Sequence, residues 1–173
     1  MQKWHLFYIA FCDLLAEKLC YAKRSKVGAV IVKDHNILAY GYNGTPHGFP
    51  NVCEDIVVKD FKMTEASIMT DLSFKQSAIT NVAVAGKIID SEFITKPEVI
   101  HAEINAIAKA ARQGISIKGA TMYVSISPCI ECAKLIIQSG ITKVIYKDEY
   151  RDKAGVELLT KASVDNYKLS EIV

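Results

Sequence analysis

The sequence predicts an α/β domain whose sheet is part antiparallel and part parallel. Two observations carry this reading. Two short apolar runs, Val27 to Val32 and Ile37 to Tyr42, flank the turn residues Asp34-His35-Asn36, the pattern of a hairpin. From about residue 100 onward, helix-like and strand-like segments alternate, the pattern of parallel strands joined by crossover helices. Size and composition set the bounds. A chain of 173 residues, 50% apolar and 23% charged, suits one folded domain over 1–173 and not a disordered polymer. A net charge of +2 gives no case for strong non-specific binding to nucleic acid or to an anionic membrane. The five cysteines (Cys12, Cys20, Cys53, Cys129 and Cys132) are odd in number and irregularly spaced, which points to a reducing cytoplasm.

The elements follow in order. Residues 2–22 read as a helix, with apolar positions every three or four residues and no Gly or Pro. Asp13 ends the apolar run from Trp4, and Leu14, Leu15 and Leu19 continue a helical stripe, so the segment is an amphipathic helix and not a secretory leader. No stretch is long and uncharged enough to span a membrane. After the hairpin, Asn43-Gly44 and Pro46-His47-Gly48 mark a loop. Residues 51–100 hold five Lys against eight acidic residues and are weakly periodic. They read as an insertion packed on the main domain, with short helices within 54–70 and a strand near 82–89.

A helix is expected from His101 to Arg112, with Ile100, Ile104, Ile107, Ala108 and Ala111 on one face and Gly114 as its stop. Thr95-x-x-Glu98 imitates an earlier capping box. Pro97 and the β-branched Val99-Ile100 instead favour an extended approach to His101. A strand is expected over 120–126. A helix follows from Ser127-Pro128, with Pro at its first position, to just before Gly140. A strand over 142–147 and a helix over 153–163 complete the reading.

The chemistry sits in two short motifs, His101-Ala102-Glu103 and Pro128-Cys129-Ile130-Glu131-Cys132. Cys129 and Cys132, three apart at a helix start, bring both sulfurs to one point, and a helix N-terminus favours thiolate. Two thiolates and the His101 imidazole make three ligands, which leaves tetrahedral zinc one open position for water. Such an ion brings the pKa of its water to about 7. Glu103, two residues past His101, is placed to take a proton and hand it on. A lone C-x-x-C is weak, since it also fits a redox pair or half a zinc finger. The combination of H-x-E with P-C-x-x-C is the general signature of zinc deaminases of cytosine and adenine.

With these motifs the chain resembles the deoxycytidylate (dCMP) deaminases of the cytidine deaminase-like superfamily, phage and bacterial type. The matching segments are Lys26-Val-Gly-Ala-Val-Ile-Val32, Gly41-Tyr-Asn-Gly44, His101-Ala-Glu-Ile-Asn-Ala-Ile107, Ala120-Thr-Met-Tyr-Val124 and Ser127 through Ile141. The resemblance implies a three-layer α/β/α fold with a five-stranded mixed sheet. It implies hydrolysis of dCMP to dUMP and ammonia for thymidylate synthesis, with zinc-bound hydroxide attacking C4 and Glu103 shuttling protons. The Ala102 and Cys129 amides are the expected donors to the intermediate. Asn43 matches the position that bonds the deoxyribose, and Tyr150 matches a pocket-lining position. Arg24 and Lys26 precede the first strand, where a 5′-phosphate would lie. Gly44 and Arg112 match positions linked to regulation or subunit contact. Many members are homohexamers regulated by dCTP and dTTP with Mg2+. Several hold a second, structural zinc, for which Cys53, His47 and Glu98 are the candidates here, Glu98 being offset by one residue from the usual place.

Competing readings stay within reach of the same motifs. Free cytidine deaminases carry Cys where His101 stands. A tRNA adenosine deaminase calls for a basic face toward RNA, and a riboflavin-pathway deaminase for a reductase domain that does not fit in this length. A polynucleotide mutator needs aromatic and basic loops around its pocket. The motifs alone leave dCTP open beside dCMP. An inactive zinc-binding module is the reading for a chain without Glu103.

Overall fold

Along the central strands, successive side chains alternate between two apolar cores. Ala29, Ile31, Met122, Val124, Val144 and Tyr146 belong to one core; Val30, Val32, Tyr123 and Ile145 belong to the other. A strand buried on both faces reads as a continuous apolar run, which is why Val27 to Val32 carries no polar alternation.

The computed structural model describes residues 2–63, 81–84 and 87–173, and side chains for 2–57 and 92–173. In chain order the elements are α1 (Gln2–Lys18), β1 (Gly28–Lys33), β2 (Asn36–Tyr42), β3 (Glu54–Met63), β4 (Asn81–Val84), β5 (Lys87–Thr95), α2 (Ala102–Arg112), β6 (Thr121–Ile126), α3 (Ile130–Gln138), β7 (Lys143–Asp148), α4 (Ala154–Lys161) and β8 (Asp165–Lys168). The main sheet has the order β2-β1-β6-β7-β8. β1 pairs antiparallel with β2 and β6, while β6-β7 and β7-β8 are parallel. Tyr8, Ile9, Cys12 and Leu15 of α1 cover one face. Ala102, Ala106 and Ala110 of α2, Ala133 and Ile136 of α3 and Leu159 of α4 cover the other. The result is the three-layer α/β/α fold with a five-stranded mixed sheet. Among the described residues no helix is long and apolar enough to cross a membrane.

Three expectations are corrected and one strand is added. The short helices within 54–70 are not formed as far as Met63: Glu54–Met63 is β3, whose Ile56-Val57-Val58 run suits a strand. Residues 64–70 lie outside the described residues. The single strand near 82–89 is two, β4 and the start of β5, and with β3 they form an antiparallel sheet ordered β3-β5-β4. The helix begun at Ser127-Pro128 starts later, at Ile130, with Cys129 as N-cap and Pro128 ahead of the cap. Cys129 holds an extended backbone (φ −71°, ψ 171°), and that conformation ends where the helix begins. β8, which the periodicity did not reveal, is four residues at the sheet edge with one aromatic among polar neighbours.

Two glycines set how closely the layers approach. A Cβ on Gly41 of β2 would sit 2.1 Å from the Ala102 carbonyl oxygen and 2.5 Å from the Ala106 nitrogen. A Cβ on Gly155 of α4 would sit 2.1 Å from the Pro128 carbonyl oxygen. Both lie against the segments that carry the two motifs, so backbone packs directly on backbone behind the site.

Candidate active site

His101 and Cys129 occupy equivalent places: each is the N-cap of its helix, with extended backbone and no side-chain capping bond. Capping side chains ordinarily satisfy the orphan amides of the first turn. Here both are turned instead toward one point. His101 Nδ1 lies 3.4 Å from Cys129 Sγ and 3.4 Å from Cys132 Sγ. Tetrahedral zinc, with Zn–N of about 2.0–2.1 Å and Zn–S of about 2.3 Å, sets such ligands roughly 3.5 Å apart, so the donor set fits the ion. Among the described residues this is the one group of three or more His, Cys, Asp or Glu close enough to hold a metal. Cys53, His47 and Glu98 do not converge as a second site. Cys53 packs with Cys20 and Ala22 in a small apolar cluster, while His47 is exposed in the loop after β2.

The electrostatics follow from these contacts. Hydrogen bonds from Cys132 and His101 bring the Cys129 thiol down to about 3, whereas its neighbour Cys129 and burial push Cys132 up. The bond to Cys129 raises His101. A divalent cation held by these three side chains would favour the thiolate form of both cysteines. Glu103, 4% exposed, is pushed up to about 7 by burial. A carboxyl poised there exchanges protons near neutral pH.

A cleft of about 510 Å³ opens beside His101, Glu103 and Cys129. Arg24, Asn43 and Tyr150 line it as expected, and Lys26 does not: its neighbours Ser25 and Val27 do. Asn43 is buried and clamped at both ends, its Oδ1 accepting from the Ala102 N–H at 3.1 Å and its Nδ2 donating to the Ser25 carbonyl at 2.9 Å. The expectation that the Ala102 amide is open to the intermediate is therefore corrected, because that N–H is bonded to Asn43. Asn43 retains a second amide hydrogen and a second lone pair. Gly44 bridges Ile100 through bonds of 3.2 and 2.8 Å, which holds the loop beside His101. Arg112 lies at the far end of α2, about 15 Å of helix from the metal ligand. Ser127 accepts from the Tyr150 N–H at 2.8 Å and ties the cysteine loop to the 149–151 segment.

Glu54, Thr95 and Val99 from the insertion also line the cleft, as do Glu149 and Arg151. Nothing local marks the first three in the sequence, because the insertion is only weakly periodic. Arg151 is legible as a neighbour of Tyr150; its guanidinium carbon lies 5.7 Å from the Tyr150 ring centroid.

Three ligands for zinc, one coordination position left over and a buried carboxylate beside them, on this fold, define a zinc-dependent hydrolytic deaminase. The family model for the cytidine and deoxycytidylate deaminase zinc-binding region matches residues 2–148, and the chain belongs to that family. Deoxycytidylate deaminase of Enterobacteria phage T4 is 39% identical over 153 residues, covering 83% of this chain and 79% of the relative. The human deoxycytidylate deaminase is 36% identical over 152 residues, 87% of this chain and 68% of its own length. The crystal structure of dCMP deaminase from cyanophage S-TIM5, in complex with dCMP and dUMP, superposes with a TM-score of 0.68 at 32% identity over 94% of each chain.

Proposed function

We propose that this chain hydrolyses dCMP to dUMP and ammonia. The observation that carries the reading is the His101, Cys129 and Cys132 cluster with Glu103 buried on the same cleft. Zinc held there supplies a Lewis acid and a water of lowered pKa. Glu103 accepts a proton at its carboxylate, delivers it to N3 of the pyrimidine and then assists departure of the C4 amine. Asn43 holds the wall facing the sugar and offers its spare amide hydrogen. Arg24 and Arg151 stand at the polar rim, and among the described residues neither guanidinium pairs with a carboxylate, which suits a 5′-phosphate. Val27, Val99 and Ile126 give the cleft an apolar stretch of wall that suits the base.

The remaining parts of the reading rest on the family resemblance. They are one domain over 1–173, a cytoplasmic homohexamer, dCTP and dTTP as effectors with Mg2+, and supply of thymidylate synthesis. Exposed Leu6, Phe7, Leu14, Ile37 and Tyr40 on α1 and β2 suit a subunit contact, and five cysteines without a disulfide suit the cytoplasm.

Ammonia release from dCMP, deoxycytidine and dCTP, in one zinc-replete preparation, tests the reading. The expected result is a strong preference for dCMP. Glu103→Gln is expected to keep zinc and fold while turnover falls about 10²-fold or more. Unchanged turnover would remove Glu103 from the mechanism, and turnover of none of the three with dCTP and Mg2+ added would remove the substrate.

A further inference from the structure

The proton shuttle and the zinc ligands leave one buried acid of the cleft unexplained. Glu54 opens β3, is 8% exposed, and faces the same cleft as His101 and Glu103. Its Oε1 accepts two backbone hydrogen bonds, from Lys23 N–H at 2.7 Å and Arg24 N–H at 3.2 Å. A buried carboxylate is costly unless satisfied, and bonds to an ionised acceptor are the strong ones.

These two bonds matter because of the segment they hold. Residues 20–27, between α1 and β1, contain neither helix nor strand. The segment is gripped on one side by Glu54, and on the other by Asn43 through Ser25 and Val27. Arg24 sits between the two grips. Glu54 binds the Arg24 backbone, and among the described residues no carboxylate forms an ion pair with the Arg24 guanidinium.

Resting on the monophosphate reading above, we propose that Glu54 is a positioning residue for the substrate phosphate. It fixes the Arg24 backbone so that the guanidinium meets the 5′-phosphate, which makes the insertion a structural part of the substrate site.

Steady-state kinetics on the zinc-loaded, full-length enzyme tests this with dCMP and with deoxycytidine, which lacks the phosphate. Glu54→Ala is expected to raise KM for dCMP about tenfold or more, with kcat held within about twofold. The kcat/KM for deoxycytidine should stay within about twofold. Arg24→Ala should show the same split, and the double variant should be no worse than Arg24→Ala alone. Glu54→Gln, whose carbonyl oxygen can accept both bonds, should recover most of the loss. If Glu54→Ala does not fold, Glu54→Asp carries the comparison, since it keeps the charge but falls short of the amides. Equal losses on both substrates, or multiplying losses in the double variant, would overturn the positioning role. A wild-type enzyme indifferent between dCMP and deoxycytidine would instead remove the monophosphate reading, and this inference with it.

Discussion

The two sheets of this chain are held together in different ways. In the five-stranded sheet, β1 and β6 are buried on both faces and sandwiched by helices. In the insertion, the described ends of β3 and β5 leave Ile56, Val57 and Ile94 exposed, at 65%, 40% and 45%. Yet both sheets reach the cleft: the first through the helices that carry His101, Glu103 and the cysteines, the second through Glu54 and Thr95. The difference suggests a division of labour. The groups that converge on one point ride on close-packed helix ends, and one stretch of the cleft wall, Glu54 and Thr95, comes from a thinner, less buried layer.

The sharpest way to break the comparison is to disturb the contact behind the zinc ligands. Gly41→Ala places a methyl group 2.1 Å from the Ala102 carbonyl oxygen, on backbone that cannot rotate away. A loss of at least about 3 kcal/mol in denaturant unfolding, with weakened zinc retention, is expected. A loss below about 1 kcal/mol would show that α2 can slide on β2, and that the main sheet is not the rigid partner.

The next effect is electrostatic and runs with pH. In zinc-free protein, burial raises Glu103 from 4.5 to about 7. Its folded value lies above its unfolded one, so its contribution is most favourable below pH 4.5 and is lost as pH rises through 7. Glu103→Gln removes that cost. Chelated wild type and variant should therefore unfold alike near pH 4.5, with the variant gaining up to about 3 kcal/mol by pH 8. Thermal unfolding across that range measures it. A difference that does not change with pH would mean that Glu103 is not desolvated by its surroundings.

The same division explains what was legible in the sequence. The zinc ligands, Glu103, and the strands of the main sheet could be read because each carries local chemistry or an apolar run. Asn43 was legible by family resemblance, but not its second duty of bonding the Ala102 amide, since that contact joins residues 59 apart. Residues 54–63 read as helical and form a strand, because exposed strands mix apolar and charged residues without a dominant period. Glu54 was invisible for a related reason: its meaning lies in two amides some 30 residues away. Gly155 looks like any helical glycine until α4 is packed against Pro128.

The smallest effects compare one ion pair on each unit. Lys147 reaches Asp13 at 2.8 Å and links β7 to α1, which raises the Lys147 pKa chiefly through that hydrogen bond. Lys96 reaches Asp55 at 3.5 Å and links the end of β5 to β3. The first pair is shorter, but both of its partners are open to solvent; in the second, the Lys96 side chain is only 24% exposed. Screening and side-chain entropy hold exposed pairs below about 1 kcal/mol, so Lys147→Ala and Lys96→Ala should each cost less than that. Raising salt from 0.1 to 1 M shortens the Debye length from about 10 to about 3 Å and should erase most of the Lys147 effect. A Lys96→Ala loss well above 1 kcal/mol that persists in salt would place the hold on the insertion in that cross-strand pair, and would give the thinner sheet a fixed attachment to the cleft after all.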